Sequence, residues 1–319
     1  MKKITRQGKT EKTMKYSVTE KDAGKLLLTY LKGTLGLSRA EIIALKKREG
    51  GILLNGSPVT VRAVLSAGDE LLLDRCDREE ELNECLVRRE LPLSFLYEDD
   101  DLIAVNKPAG MPTHPSHGHF DDTLANGLAY VFSQKGIPFV FRAVNRLDRD
   151  TSGVVLVAKN RGAAFRMAEQ IAGKEIDKRY LAVAEGRIFS PFTVTAPIKR
   201  QQESIILRTV CRAGEGQEAE TEFFPLGQGE DFTLLEAHPL TGRTHQIRVH
   251  LASVGHPLCG DTLYGGGTLR IGRQALHCRS LTFSLPAGER ITVTAPLPED
   301  MKALAVMAGY SENEPKGNE

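Results

Sequence analysis

The sequence predicts an α+β protein whose main body is a mixed, mainly antiparallel sheet, preceded by a small α/β unit. Three observations lead there. Short apolar runs bounded by Gly, Pro, Asn and Asp recur along the 319 residues as strand candidates. Helical periodicity is confined to a few stretches interleaved among them. Charge also changes sign along the chain. Residues 1–76 carry 15 Lys and Arg against 8 Asp and Glu, whereas the remainder carries 27 against 33. A basic front on a chain of net charge +1 suggests a polyanion-binding module joined to a body with other work.

Residues 1–15 are lysine-rich and aperiodic, and are expected to be a disordered basic tail. From Asp22 the pattern turns helical, with Leu26, Leu27, Tyr30 and Leu31 on one face and Gly33 as its end. Ser38 and Glu41 form a capping box for a second helix. That helix should turn Ile42, Ile43 and Leu45 inward and Arg39, Lys46, Lys47 and Arg48 largely outward. Ile52-Leu53-Leu54 before Asn55-Gly56 reads as a strand entering a hairpin, and Val59–Val64 and Glu70–Leu73 as further strands. Together, residues 16–74 resemble the small RNA-binding domain named after ribosomal small-subunit protein four. The resemblance implies that Arg39, Lys46, Lys47 and Arg48 meet RNA phosphates. Residues 75–92 are acidic, lack periodicity and are read as a linker.

The second domain, residues 93–310, opens with Phe95-Leu96-Tyr97-Glu98, the acidic turn Asp99-Asp100-Asp101 and a strand at Leu102–Val105. Asn106-Lys107-Pro108-Ala109-Gly110-Met111-Pro112 should be an irregular loop, because two prolines and a glycine break regular structure. Asp122-Thr123-Leu124 starts a helix through Phe132, and Asn160 caps another that runs to about Ala172. Lys178–Val183, Glu220–Leu226 and Phe232–Ala237 read as strands. Ile247, Leu251 and Val254 are spaced as the buried stripe of a helix. Residues 311–319 are polar and expected to fray.

The densest polar segment is Asn145-Arg146-Leu147-Asp148-Arg149-Asp150-Thr151-Ser152-Gly153, followed at once by the apolar run Val154–Ala158. A charged loop delivered by a buried strand is a common way to hold reactive side chains on a rigid support. Except at Asn145, where His is usual, this segment matches the signature of the RluA-type pseudouridine synthases. Asn-Lys-Pro-Ala-Gly at 106–110, Lys178-Arg179-Tyr180 and Thr241-Gly242-Arg243-Thr244-His245-Gln246-Ile247-Arg248-Val249-His250 are similar to further motifs of that family. The resemblance spans roughly Leu93 to Pro298.

It implies a mixed sheet with a central cleft and isomerisation of uridine to pseudouridine in RNA. Large-subunit ribosomal RNA is the favoured target and tRNA the alternative. It implies Asp148 as the catalytic carboxylate, acting either as a nucleophile or as a base that sets off glycal formation. Arg243 would be the cation beside it, with Arg149 as the local alternative. Tyr180 would stack on the target base, unless it is simply a core tyrosine, and Arg146 would occupy the space left by the extruded uridine. For His245 and Arg248, structural hydrogen bonding and substrate contact stay equally open.

Two other functions compete: a non-catalytic RNA-binding or ribosome-assembly factor, and a glycoside hydrolase using Asp148 and Asp150 as paired carboxylates. Retention of Asp148, Tyr180 and Arg243 speaks against the first, and the absence of Trp against the second. No cofactor is expected, since the chain lacks phosphate-loop, dinucleotide and zinc-helix motifs. No metal is expected either, because His114, His117 and His119 sit in a Pro/Gly loop without a regular scaffold. The five cysteines are scattered and odd in number, which suits reduced thiols and a cytoplasmic protein. No membrane span or signal peptide is expected, and the chain is read as a monomer.

Overall fold

The computed structural model describes residues 14–37, 39–75, 86–202, 204, 206–286 and 288–311. Residues 1–13 of the tail expected over 1–15, Ser38 of the capping box and the end after Ser311 lie outside them, whereas the last two residues of that tail, Met14 and Lys15, are not disordered but pair with Leu73 and Leu72 in a strand. Strand β1 (Met14–Ser17) is followed by α1 (Leu27–Gly33), α2 (Arg39–Lys47), β2 (Ile52–Leu54), β3 (Ser57–Pro58) and β4 (Glu70–Leu73). The strands form a sheet in the order β1-β4-β2-β3, closed over a core that includes Leu27, Leu31, Leu65, Leu71 and Leu73. The first helix starts five residues later than Asp22, after a 3-10 turn at Glu20–Asp22. Val59–Val64 is not a strand. Its carbonyls at Val61 and Ala63 accept from the N–H groups of Leu28 and Leu27, the orphan donors of the α1 N-terminus. In α2, Ile43 points to solvent and Arg48 is half-buried, donating to the Asp74 carbonyl, while Arg39, Lys46 and Lys47 are exposed.

Two features contradict a free linker at its described ends. Arg75 is buried, donating to the Tyr16 hydroxyl at 2.7 Å and pairing with Asp101 at 3.1 Å across to the main body. Beyond residues 76–85, the chain runs along the next helix, with the Asn126 carboxamide donating to the Val87 carbonyl. These backbone bonds are what an aperiodic sequence conceals.

The main body comprises β5 (Ser94–Glu98), β6 (Leu102–Lys107), α3 (Leu124–Gln134), β7 (Ser152–Ala158), α4 (Arg161–Ala172), β8 (Asp177–Glu185), β9 (Phe192–Thr195), β10 (Ile198–Arg200), β11 (Arg208–Val210), β12 (Glu220–Gln228), β13 (Phe232–Pro239), α5 (Gln246–Ser253), β14 (Leu276–Ser284), β15 (Arg290–Thr294) and α6 (Glu299–Met307). One sheet runs β5-β6-β7-β14-β8-β13-β12-β9, with β15 on β14, and β10 and β11 form a separate ribbon. Among the described residues only the β7–β14 pairing of the large sheet is parallel. Strand alternation puts Tyr180 and Ala182 in the core under α3, α4 and α5, and Leu181 and Val183 in the core under α6. Thr123 and Asn160 cap α3 and α4, as their positions in the sequence predict. Val254, by contrast, is exposed. No described helix is long and apolar enough to cross a membrane.

All seven residues of β7 are buried, so the loop before it is carried by the middle of the sheet. The join to β14 depends on Gly153. It has φ +115°, and a Cβ there would lie 2.2 Å from the Cys278 carbonyl oxygen. Gly153→Ala must therefore break the parallel pairing as well as strain the backbone, and should destabilise the protein by more than about 4 kcal/mol. Gly214→Ala, at φ +84° but facing open space, should cost only about 1–2 kcal/mol. Thermal unfolding of the two variants checks this, and equal losses would contradict the close approach.

Candidate active site

The charged loop between α3 and β7 is held by one tie from its own base and by others that come from well beyond it. Asn145 donates to the Val154 carbonyl at 2.9 Å and accepts from the Leu156 N–H at 2.8 Å, acting as an extra rung on β7. The residue that departs from the usual His therefore has a local packing role. Thr113 donates to the Leu147 carbonyl at 2.9 Å, and Arg273 donates to the Asp150 carbonyl at 3.0 Å.

The fourth tie is Lys107. The strand runs through Asn106 and Lys107, two residues further than the proline-rich pattern suggests, and carries this lysine into the interior at 0% exposure. Its ammonium donates to the carbonyls of Pro108, Met111 and Arg149 at 2.8, 2.7 and 2.9 Å, using all three protons. Burial pulls its pKa down to about 7, against the opposing pull of Asp148 and Asp150. The loop reading of residues 106–112 hid this role. The signal was a Lys directly preceding a Pro at the end of an apolar run.

These ties set Asp148 in a cleft of about 320 Å³ that Arg146, Tyr180, Arg243, His245 and Arg248 also line. That volume is at the small end for ligand sites. The cation at Asp148 is Arg248, whose Nη1 donates to Oδ2 at 3.0 Å. The same guanidinium forks onto Asp261, Nε to Oδ2 at 2.7 Å and Nη2 to Oδ1 at 2.8 Å. Its central carbon lies over the Tyr264 ring, 5.1 Å from the centroid. Burial works against the Arg248 charge, but the hydrogen bonds to Asp261 and the charges of Asp148 and Asp261 outweigh it, so its pKa rises above the usual range. Asp261 is 1% exposed and was not singled out from sequence.

This corrects the expected pairing with Arg243. That residue precedes α5, and its Nε turns away to the Glu218 carbonyl at 2.9 Å, whereas Arg248 sits within the helix and faces both carboxylates. Arg149, the local alternative, is committed to Asp150 at 2.9 Å on the exposed side.

Tyr180 is 8% exposed. Burial pushes its phenol well above the usual range, and Cys278 and Asp148 push the same way, so the ring presents a neutral hydroxyl. His245 adopts φ +59° at the start of α5, an uncommon conformation for a non-glycine residue. Its Nδ1 lies 2.8 Å from the Tyr264 hydroxyl and its Nε2 3.8 Å from Asp148. Burial lowers its pKa, partly offset by Asp148. Arg146 is exposed at the cleft rim, whereas Arg39, Lys46, Lys47 and Arg48 belong to the N-terminal unit and do not line the cleft. Of the loop histidines, His119 pairs with Asp122 at 2.7 Å and His114 packs edge-on against Phe141.

A family model described as RNA pseudouridylate synthase matches residues 101–253. The chain is 42% identical over 274 residues to the uncharacterized RNA pseudouridine synthase YjbO of Bacillus subtilis (strain 168), covering 85% of this chain and 95% of that protein. It is 38% identical over 233 residues to ribosomal large subunit pseudouridine synthase D of Zymomonas mobilis, covering 69% and 74% respectively. The fold is similar to that of human RNA pseudouridylate synthase domain containing 1, with TM-score 0.56 and 29% identity over 68% of this chain and 87% of that one.

Lys107→Met should strip three carbonyls of their donor and destabilise the protein by more than about 2 kcal/mol at pH 7. The pH dependence has a definite sign. Between the folded pKa of about 7 and the unfolded value of 10.5, the unfolded chain binds the Lys107 proton more tightly. The contribution of this lysine to stability therefore rises with pH across that window. Denaturant titrations of both proteins between pH 7 and pH 10 should show the gap widening in favour of the native sequence. A constant gap would mean that burial does not lower the pKa of this lysine.

Proposed function

This chain belongs to the RNA pseudouridine synthase family, and we propose that it isomerises uridine in large-subunit ribosomal RNA with Asp148 as the reacting carboxylate. The observation that carries the assignment is the buried guanidinium of Arg248 presenting Asp148 to the cleft at 3.0 Å. Two routes use this carboxylate. In one, Asp148 attacks C1′ of the ribose, the bond from C1′ to N1 breaks, and the uracil leaves as an anion. The base rotates, C5 bonds to C1′ and displaces the carboxylate, and the C5 proton is lost while N1 gains one. In the other, the carboxylate takes the C2′ proton as the glycosidic bond breaks, and returns it once C5 has added to the glycal. Both regenerate Asp148, and neither consumes an oxidant or a second substrate.

The neighbours divide the remaining work. Tyr180, buried and neutral, offers a ring face to the base and a hydroxyl as donor. A uridine within folded RNA must first leave its stack, at a cost of about a few kcal/mol. Arg146, exposed at the rim two residues before Asp148, is placed to fill the gap. Arg39, Lys46 and Lys47 add exposed positive charge for phosphates further along the RNA. Support for large-subunit RNA as the target comes from relatives named for it, including that of Zymomonas mobilis.

Asp148→Asn should abolish pseudouridine formation in unmodified large-subunit ribosomal RNA while leaving RNA affinity nearly unchanged. Asp150→Asn should keep much of the activity, because Asp150 is turned outward to Arg149. Arg248→Lys cannot serve Asp148 and both oxygens of Asp261 at once, and should lose turnover together with about 3–5 kcal/mol of stability. Arg243→Met should retain turnover at saturating RNA. Nucleoside analysis of ribosomal RNA and tRNA after incubation decides the target. A product confined to tRNA would overturn the ribosomal assignment, and a dead Asp150→Asn beside an active Asp148→Asn would move the chemistry to the other carboxylate.

A further inference from the structure

The cleft holds a cation that neither route uses. Lys178 lines it together with Asp148 and Tyr180. It lies on β8 two residues before Tyr180, so both side chains leave the same face of the strand, about 6.5 Å apart along it. The wall there is apolar. Leu281 is the register partner of Lys178 on β14, and Ile176 and Ile247 line the same space and belong with Leu281 to the core. Across from the lysine stands Gly242, where a Cβ would lie 3.6 Å from the Lys178 Nζ. Glycine at this point leaves room for another group beside the ammonium.

Among the described residues, no hydrogen bond or ion pair joins the Lys178 ammonium to another group. Burial lowers its pKa, and the Cys278 thiol pulls the other way. That thiol is itself pushed up to about 12 by burial, so at pH 7 it is neutral and supplies no counter-charge. Lys107, by contrast, spends all three protons on carbonyls. A cation drawn partly out of water without a partner costs stability, and such a cost points to negative charge that arrives with a substrate. The position narrows the choice. The Asp148 charge acts on the Tyr180 phenol, whereas the ammonium of Lys178 answers to Cys278, so Lys178 stands beyond Tyr180 as seen from Asp148. The apolar wall around it suits the flat ring of a base and not a phosphate, which keeps its own water.

We propose that Lys178 donates to the exocyclic oxygen of the target uracil that lies farthest from the glycosidic bond. This rests on the pseudouridine reading of the cleft and deepens it by assigning a group to the base itself. With C1′ at Asp148 and the ring along Tyr180, that oxygen is O4, which projects from the far side of the ring from N1. When the bond from C1′ to N1 breaks, its electron pair stays on the base, and conjugation through C6, C5 and C4 carries part of the charge to O4. An ammonium already in place there stabilises the charge where it develops. The rotation that brings C5 to C1′ exchanges O4 with O2, so the same ammonium then meets O2. Lys178 keeps its proton throughout. Cytosine carries an amino group at C4, which would set donor against donor, so the same residue selects uridine over cytidine.

The test uses the full chain, ribosomal RNA and fluorescently labelled oligonucleotides. In a single turnover at saturating RNA, Lys178→Met should form pseudouridine at least about 100-fold more slowly, the loss expected when one donor to a developing anion is removed. Its thermal midpoint should hold or rise, because a partly buried charge without a partner has been taken away. A fall in the midpoint would make Lys178 a structural residue and overturn the proposal. The plot of log affinity for oligouridylate against log salt should keep its native slope. A slope shallower by about 0.7 would put Lys178 on a phosphate instead and overturn the proposal as well. The native protein should bind oligouridylate in preference to oligocytidylate, and Lys178→Met should lose that preference. If the native protein is active and Lys178→Met matches its rate, the role of Lys178 alone fails. If the native protein forms no pseudouridine in any RNA, the assigned reaction fails and the base preference decides the rest. Its loss in the variant keeps the uracil contact, whereas a native protein without it, or a variant that retains it, overturns that contact.

Discussion

A single buried guanidinium joins the halves of the site. Arg248 projects from α5 and uses two nitrogens to hold Asp261, leaving the third for Asp148 on the loop before β7. Taking a charge out of water is expensive unless it is paired and hydrogen-bonded, and Arg248 meets that condition only when both carboxylates are in place. The position of Asp148 is therefore linked to the docking of α5, to the turn that carries Asp261 and to the Tyr264 ring beside the guanidinium. Arginine suits this post, because one planar group can serve two acceptors in a fixed fork while remaining charged.

The loop bearing Asp148 has little regular structure, and its order comes from ties to the surrounding frame. Lys107 reaches it from β6, Thr113 from the following loop, Asn145 from its own base, and Arg273 from the segment before β14. Most of these bonds end on backbone carbonyls, so they constrain the path of the loop rather than the identity of its side chains. The side chains of Arg146, Asp148 and Arg149 are thereby left for the cleft and the solvent. A frame of this kind gives preorganisation: the carboxylate is presented before RNA arrives, and binding energy need not be spent on ordering it.

Much of the fold was legible because its signals are local. Thr123 and Asn160 announced their helices, and the apolar run after Gly153 announced β7. The errors have a common origin. Val59–Val64 has strand composition, yet its carbonyls are taken by the α1 N-terminus. Arg75 falls in an acidic, aperiodic stretch, yet it is buried against Asp101. Ile43 and Val254 fit an apolar stripe by spacing and are nonetheless exposed, because spacing gives the face of a helix and not how far the neighbouring structure covers it.

By itself the sequence determined the α+β class, the charged loop with Asp148, Tyr180 on its strand, and the motif holding both Arg243 and Arg248. Each is a property of neighbours within a few residues, which composition and period report directly. Only the tertiary structure decided which arginine meets Asp148, that Lys107 is a buried tie, and that Lys178 faces the cleft beside Gly242. Those outcomes depend on where α5 begins and on which carbonyls converge in the interior. They depend equally on which turn lies against the start of β8. Such facts relate residues up to a hundred positions apart, and no local pattern carries them.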